Sequence, residues 1–225
     1  MTHGITEKPE VYQGQFGEFT ITKEDRIGVI VYRSALSVAA LCFAIGTCAV
    51  LWQGSHPAVL RALNFLYVGF SLALGISLAT IHIYLAPLHR TLQACWAISC
   101  VASLFIAIQS HESFALTVYN RPAALVGVGF IFVALTGIFF KEAFCFNRLE
   151  TKLLTPIVPL LLLGHWVGVL PVQGERLLLS IWAILFLVFA LRKALQPIPP
   201  DIGDKTVFAY LHEQRLTAKK LNFQD

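Results

Sequence analysis

The sequence predicts an all-α fold, a polytopic transmembrane helix bundle of about six spans. Three observations carry that prediction. Hydrophobic residues make up 56% of the 225 positions and charged residues only 13%, about half the roughly 25% usual in soluble domains. The apolar residues are gathered into six long stretches, near the roughly 20 residues that a bilayer core requires of each helix. Five of the six contain no Asp, Glu, Lys or Arg, and the sixth carries only Arg192 and Lys193, in its last turn. One water-soluble core cannot hide so much hydrocarbon, so lipid is the second solvent.

The stretches run Ser34–Trp52, Leu63–Leu85, Leu92–Ile108, Ala123–Phe140, Leu153–Leu170 and Leu177–Leu195. Every backbone amide in lipid must be bonded within its own segment, so helices are expected throughout. The chain then divides into an amino-terminal tail (1–33), a six-helix domain (34–195) and a carboxyl tail (196–225). The first 33 residues are polar and carry no signal-peptide pattern, so insertion is expected to rely on the first span.

Orientation follows from the basic residues of the connections. Lys8, Lys23, Arg26, Arg33, Arg90, Lys141, Arg148, Lys152, Arg192, Lys193, Lys205, Arg215, Lys219 and Lys220 fall on one side of a six-span chain. Arg61, Arg121 and Arg176 are left for the other. Both tails are therefore expected on the cytoplasmic face. The net charge of +4 comes from these short clusters, which read as topology signals and attraction to anionic headgroups, not as a nucleic-acid-binding stripe.

Parts of the tails are expected to fold. Val11–Thr22 alternates around Gly14 and Gly17 and suits a small hairpin or an extended pad. Thr22 can cap a helix whose first turn holds Glu24 and Asp25, running through Ile27, Ile30 and Val31 into the first span. Pro197, Pro199 and Pro200 stop the sixth helix. Asp204–Lys220 reads either as a surface helix with Val207, Phe208, Leu211 and Arg215 on one face or as a solvated tail.

Local matches suggest a 3+3 inverted repeat, an architecture known in transporters. Tyr32-Arg33-x-Ala35 resembles Tyr119-x-Arg121-x-Ala123, His82 before Pro87 resembles His165 before Pro171, and Trp96-Ala97-Ile98 equals Trp182-Ala183-Ile184. Chance matching among apolar segments is the competing explanation. Gly69, Gly75, Gly127, Gly129 and Gly137 permit close helix approach.

Polar side chains at membrane depth are the first candidates for chemistry. His82 lies near the inner end of the second span and His165 toward the outer end of the fifth. Their unlike depths argue against one haem held by both. Each separately suits a haem, a porphyrin-type pigment or a quinone headgroup, or a hydrogen bond to a neighbouring helix, which is the commoner arrangement. The cofactor is otherwise unassigned. Pro159 is expected to kink the fifth helix or free a carbonyl.

The fourth connection mixes aromatic and charged residues: Phe140, Lys141, Glu142, Phe144, Cys145, Phe146 and Arg148. It suits a loop lying in the interface with its phenylalanines in the acyl chains and its charges outward, or a docking surface. Cys145 beside Lys141 and Arg148 reads as an inert loop thiol before a reactive one. The five cysteines form no metal or disulfide framework. Walker, dinucleotide-binding, Gly-x-Ser-x-Gly and His-Glu-x-x-His patterns are absent from the sequence.

The segment Phe140-Lys141-Glu142-Ala143-Phe144-Cys145-Phe146, with the six-span layout around it, resembles an uncharacterised integral membrane protein family of cyanobacteria and plastids. The resemblance covers the chain from first span to sixth. It implies a phototroph setting, thylakoid or plasma membrane, and assigns no active residues. Three functions follow in order: a non-catalytic accessory, assembly or organising factor of a phototroph membrane complex; a channel or transporter for a small neutral solute; and a pigment, haem or quinone protein. Lipids and subunits of a larger complex are the expected partners. The charge asymmetry makes the topology testable: a reporter fused after Asp225 should stay cytoplasmic, and one inserted at His111 or Gly174 should be exported. A protected loop at His111 would overturn the six-span reading.

Overall fold

The computed structural model describes Glu10–Leu221. Expectations that involve Lys8 or a fusion after Asp225 lie outside the described residues, as do those about the side chains of Arg215, Lys219 and Lys220. A hairpin of β1 (Val11–Gly14) and β2 (Gly17–Thr20) is followed by helices α1 (Lys23–Gln53), α2 (Pro57–Thr80), α3 (Ala86–Gln109), α4 (Phe114–Asn120), α5 (Pro122–Phe146), α6 (Leu149–Trp166), α7 (Val172–Leu195), α8 (Pro199–Ile202) and α9 (Lys205–Leu221). These elements form two compact units, one of residues 31–196 and one of residues 10–30 with 197–221.

Residues 31–196 form an all-α membrane bundle. Five of its helices, α1, α2, α3, α5 and α7, are long and apolar enough to cross a bilayer. At 18 residues, with Glu150, Lys152, Pro156 and Pro159 inside it, α6 falls short by composition. Its contacts nevertheless show that it covers the same interval. Glu142, near the end of α5, pairs with Lys193, near the end of α7. Tyr119, just before α5, bonds Glu175, in the first turn of α7. The two helices are thus parallel, and the chain must return between them. Glu150 at the start of α6 meets Arg192, and His165 at its end meets Glu175. An 18-residue helix is about 27 Å long, close to the roughly 30 Å hydrocarbon core. Arg33 also donates to the Gln196 carbonyl, so the bundle begins and finishes at one end.

Small residues set the helix spacing. In the antiparallel α3–α5 pair, Gly127 packs on Ala102 and Gly137 on Leu92. A methyl group on Gly137 would collide with the Leu92 side chain, and one on Gly75 with the Trp96 indole. Gly69 lies against Cys42, while Gly129 meets nothing nearby. Hydrogen bonds tie α3 to both neighbours: Ser99 donates to the Val128 carbonyl of α5 (2.7 Å), while towards α2 the Tyr67 and Ser103 hydroxyls are 2.6 Å apart and the Trp96 indole donates to the Ser71 carbonyl (2.8 Å). Aromatics fill the interior. Phe43 lies 4.4 Å from Trp182 between centroids, and Phe132 meets Trp182 edge-on at 5.1 Å, the offset and tilted geometries that ring quadrupoles favour.

The second unit joins the two ends of the chain. The hairpin is antiparallel, with Val11 opposite Thr20 and Gly14 opposite Gly17. Gly17, at φ 139°, makes a turn that a side chain would strain. Asp204, ahead of α9, accepts from the Gln15 amide at 2.6 Å, and the Phe16 ring stacks on Tyr210 at 4.1 Å. The Thr206 hydroxyl and the Gln15 amide hold the Asp204 carboxyl below the usual carboxylate range. Lys205 reaches both the Thr20 carbonyl and Asp25. The Thr22 cap forms as expected, its hydroxyl accepting from the Asp25 amide while Asp25 accepts from the Thr22 amide. Val207, Phe208 and Leu211 share the half-buried side of α9.

Several boundaries differ from expectation. The second span's helix stops at Thr80, so His82 lies in the α2–α3 connection and not within the span. The fifth span's helix starts at Leu149 and ends at Trp166. The fourth connection is a loop of only two residues. Nothing between Gly137 and Phe146 breaks a helix, so α5 continues through the aromatic and charged segment and is capped by Asn147 in the left-handed conformation, φ 52°. The residues matched in the suggested repeat occupy unlike surroundings. Tyr32 is buried and Tyr119 exposed; Trp96 donates to a carbonyl, whereas the buried Trp182 indole has no acceptor.

Candidate functional site

The α5 continuation carries its charges inward, and this corrects the expectation of charges facing outward. Glu142 and Lys193 are both fully buried. Lys193 Nζ donates to Glu142 Oε2 at 2.5 Å, Lys141 Nζ to Oε1 at 2.8 Å, and the Tyr32 hydroxyl to Oε1 at 3.3 Å. Phe146 lies beneath Lys193, Lys141 and Arg148, whose cationic groups stand 4.2, 5.6 and 5.6 Å from the ring centroid. The periodicity explains the arrangement. Phe140 and Phe144, one turn apart, are exposed on the lipid-facing side, Phe144 by 85%, while Glu142 lies on the opposite face with Phe139 and Ile138. Cys145 is exposed.

The cluster extends along the start of α6. Arg148 Nη2 donates to Gln196 Oε1 at 2.6 Å, and Arg192 Nη1 to Glu150 Oε2 at 2.9 Å. Glu150 Oε1 and Arg148 Nη1 are buried without a hydrogen-bond partner. Chemically, Glu142 is a heavily engaged acceptor. Three donors occupy a carboxylate that offers about four lone-pair sites, so it is placed to hold α1, α5 and α7 together and poorly placed to take a proton from a substrate.

A second cluster lies at the other end of the bundle. His165 Nδ1 is 2.6 Å from Glu175 Oε1, its Nε2 is 2.9 Å from the Tyr119 carbonyl, and the Tyr119 hydroxyl donates to Glu175 Oε2 at 2.9 Å. Both ring nitrogens are therefore engaged, leaving no lone pair directed at a metal or pigment. His82 is half-buried near the Glu142 end, so the two histidines lie at opposite ends of the bundle, and the structure does not bring them together. In the first turn of α3, His89 bonds the Leu78 carbonyl at 2.6 Å, beside Gln93. Among the described residues, no group of three or more His, Cys, Asp or Glu can hold a metal ion.

Sequence reasoning missed Lys193, Arg192, Glu150, Tyr32, Glu175 and Tyr119 as members of these clusters. In the sequence, the lysines and arginines read as topology signals alone. The available signal was the unbroken helical run from Pro122 to Phe146, which carries Glu142 onto the buried face of α5.

Inward-facing ion pairs, serine-stitched seams and wide apolar outer faces define a polytopic α-helical membrane protein. The chain belongs to the family described as uncharacterized integral membrane protein (DUF2301), which matches residues 76–210. A protein from Haemophilus influenzae, described as uncharacterized, is 31% identical over 185 residues, covering 82% of this chain and 91% of its own length. That relative lends no support to a restriction to cyanobacteria and plastids, nor to a thylakoid setting. No solved structure matches the chain.

Glu142 and its donors generate a ranked prediction. Replacing Glu142 with Gln leaves Lys193 buried without a counter-ion, a loss of about 3–5 kcal/mol by analogy with other buried pairs. Lys141→Gln leaves the Lys193 bond intact and should cost clearly less. Thermal unfolding in mild detergent should show E142Q well below K141Q, and equal midpoints would contradict the geometry.

Proposed function

We propose that this protein is a non-catalytic accessory or organising subunit of a larger membrane complex, with both ends of its chain cytoplasmic. One observation supports this reading above others. The polar side chains at membrane depth bond neighbouring helices: Tyr67 and Ser103 join α2 to α3, Glu142 joins α5 to α7 and α1, and His165 joins α6 to α7. A catalytic or conducting protein presents such groups to substrate; here they are fasteners. The cavity of about 260 Å³ lined by Pro57, Leu60, Arg61, Asn64 and Ser113 lies at the rim, near the start of α2. The cytoplasmic assignment rests on the excess of Lys and Arg at the Glu142 end. A phototroph setting for the complex rests on the sequence resemblance alone.

Lipids are the immediate surroundings. Phe140, Phe144, Leu149 and Leu153 are exposed near the Glu142 end, suited to acyl chains, and Lys152 is exposed beside them at headgroup level.

Native electrophoresis of solubilised source membranes tests the proposal. The chain should migrate in an assembly well above its own mass, and deletion should lower the abundance of the other subunits. Pure protein in liposomes should pass no solute and show no visible absorbance. A monomeric chain that conducts solute, or one that carries a Soret or chlorophyll band, would replace the proposal with the transport or pigment reading.

A further inference from the structure

The His165 cluster demands a particular number of protons. The Tyr119 carbonyl is an acceptor only, so His165 Nε2 must donate across the 2.9 Å contact. Glu175 Oε2 already accepts from the Tyr119 hydroxyl. The 2.6 Å approach of His165 Nδ1 to Glu175 Oε1 then needs one more proton between them. It belongs either to an imidazolium facing a carboxylate or to a carboxylic acid facing a neutral imidazole. Without it, the single N–H of a neutral imidazole serves either Glu175 or the Tyr119 carbonyl, and at the other contact a nitrogen lone pair faces an oxygen at hydrogen-bond distance and is repelled.

We infer that His165 and Glu175 form a proton-held clasp that closes the end of the bundle opposite Glu142 and releases when the shared proton is lost. The contacts tie three places together. Tyr119 is in the last turn of α4, His165 in the last turn of α6 and Glu175 in the first turn of α7. The Tyr119 and His165 rings also pack at 4.5 Å between centroids. The segment between α6 and α7 turns tightly beside the clasp. Gly168 adopts φ 69°, and Leu170 folds back on Gly164, where a methyl group would collide with it.

The titratable groups facing His165 are Glu175 from α7 and Tyr119 from α4. The remaining α6 neighbours in that turn, Gly164 and Trp166, do not titrate. The cations closest along the chain, Arg121 at the start of α5 and Arg176 on α7, are exposed. The sign is fixed by the proton count. The clasp is complete at low pH, when the pair holds its proton, and is lost as pH rises and the proton leaves.

The test uses the full chain in phosphatidylcholine nanodiscs. Backbone amide exchange over residues 163–176, corrected for intrinsic rate, is followed from pH 5 to pH 9. Protection should fall roughly tenfold to a hundredfold across a single-proton transition, the effect of losing one charge-assisted hydrogen bond. Glu175→Gln should abolish the transition, because no shared proton remains. Tyr119→Phe keeps the backbone carbonyl and should retain it. NMR of wild-type protein labelled at the histidine nitrogens and the glutamate carboxyl carbon supplies a readout that needs no variant: the His165–Glu175 pair should lose one proton, from the imidazolium or from the carboxyl, at the pH where protection falls. Protection flat from pH 5 to pH 9, or a transition unchanged in E175Q, would overturn the inference.

Discussion

The Glu142–Lys193 pair sets the arrangement on which the remaining helices depend. A carboxylate and an ammonium, both out of contact with solvent and 2.5 Å apart, join the far ends of two helices that are not consecutive in the chain. Each charge alone at that depth would cost several kcal/mol of desolvation. Together they force α5 and α7 to run parallel in one register. That requirement makes α6 a full return crossing, despite its two prolines and polar first turn, and delivers His165 to Glu175 at the opposite end. Tyr32 then brings α1 to the same carboxylate, which closes the bundle around Phe139, Phe186 and Phe189.

Stability and specificity divide differently here. Hydrocarbon side chains of similar volume would hold α5 against α7 as well as the ion pair does, or better. A hydrocarbon seam, however, accepts several registers, since lipid is as apolar as leucine and gives helices no hydrophobic drive to associate. The serine and glycine seam between α3 and α5 sets how closely helices approach. The ion pairs at the two ends set how far they slide.

The apolar stretches were legible because a bilayer imposes a length and disfavours unpaired charge; five of the six lie in helices long and apolar enough to cross it, and the fifth stretch, in α6, falls short by composition. The Thr22 cap was legible through its capping residues, while the hairpin and the last surface helix were each one of two readings that the turn glycines and the prolines left open. The candidate cluster was not. Glu142 was visible in the sequence, but it was placed in a loop, because a charge beyond an apolar run ordinarily marks the water boundary. The helix passes that boundary because Gly137 to Phe146 contains no breaker, and burial follows from a partner 51 residues away on α7. No local pattern announces such a partner. His165 was visible as a polar residue in a span, yet its role depends on Tyr119 and Glu175, which no local pattern links to it. The inverted repeat drew on identical tripeptides around Trp96 and Trp182, and their surroundings differ because one indole faces a carbonyl on α2 and the other the aromatic core.

The central claim is that the buried charges fasten helices and perform no chemistry of their own. Replacing both members, as Glu142→Met with Lys193→Met, removes the charges and keeps the volume, while Lys141, already slightly exposed, can extend its amine toward the headgroups. The most direct measurement is native electrophoresis of this double variant from source membranes, alongside its unfolding midpoint in detergent. A variant that stays folded and migrates in the same assembly as the wild type is the predicted result. A variant that is equally stable and correctly inserted, yet supports neither assembly nor function, would show that the charges themselves do the work and would contradict the account.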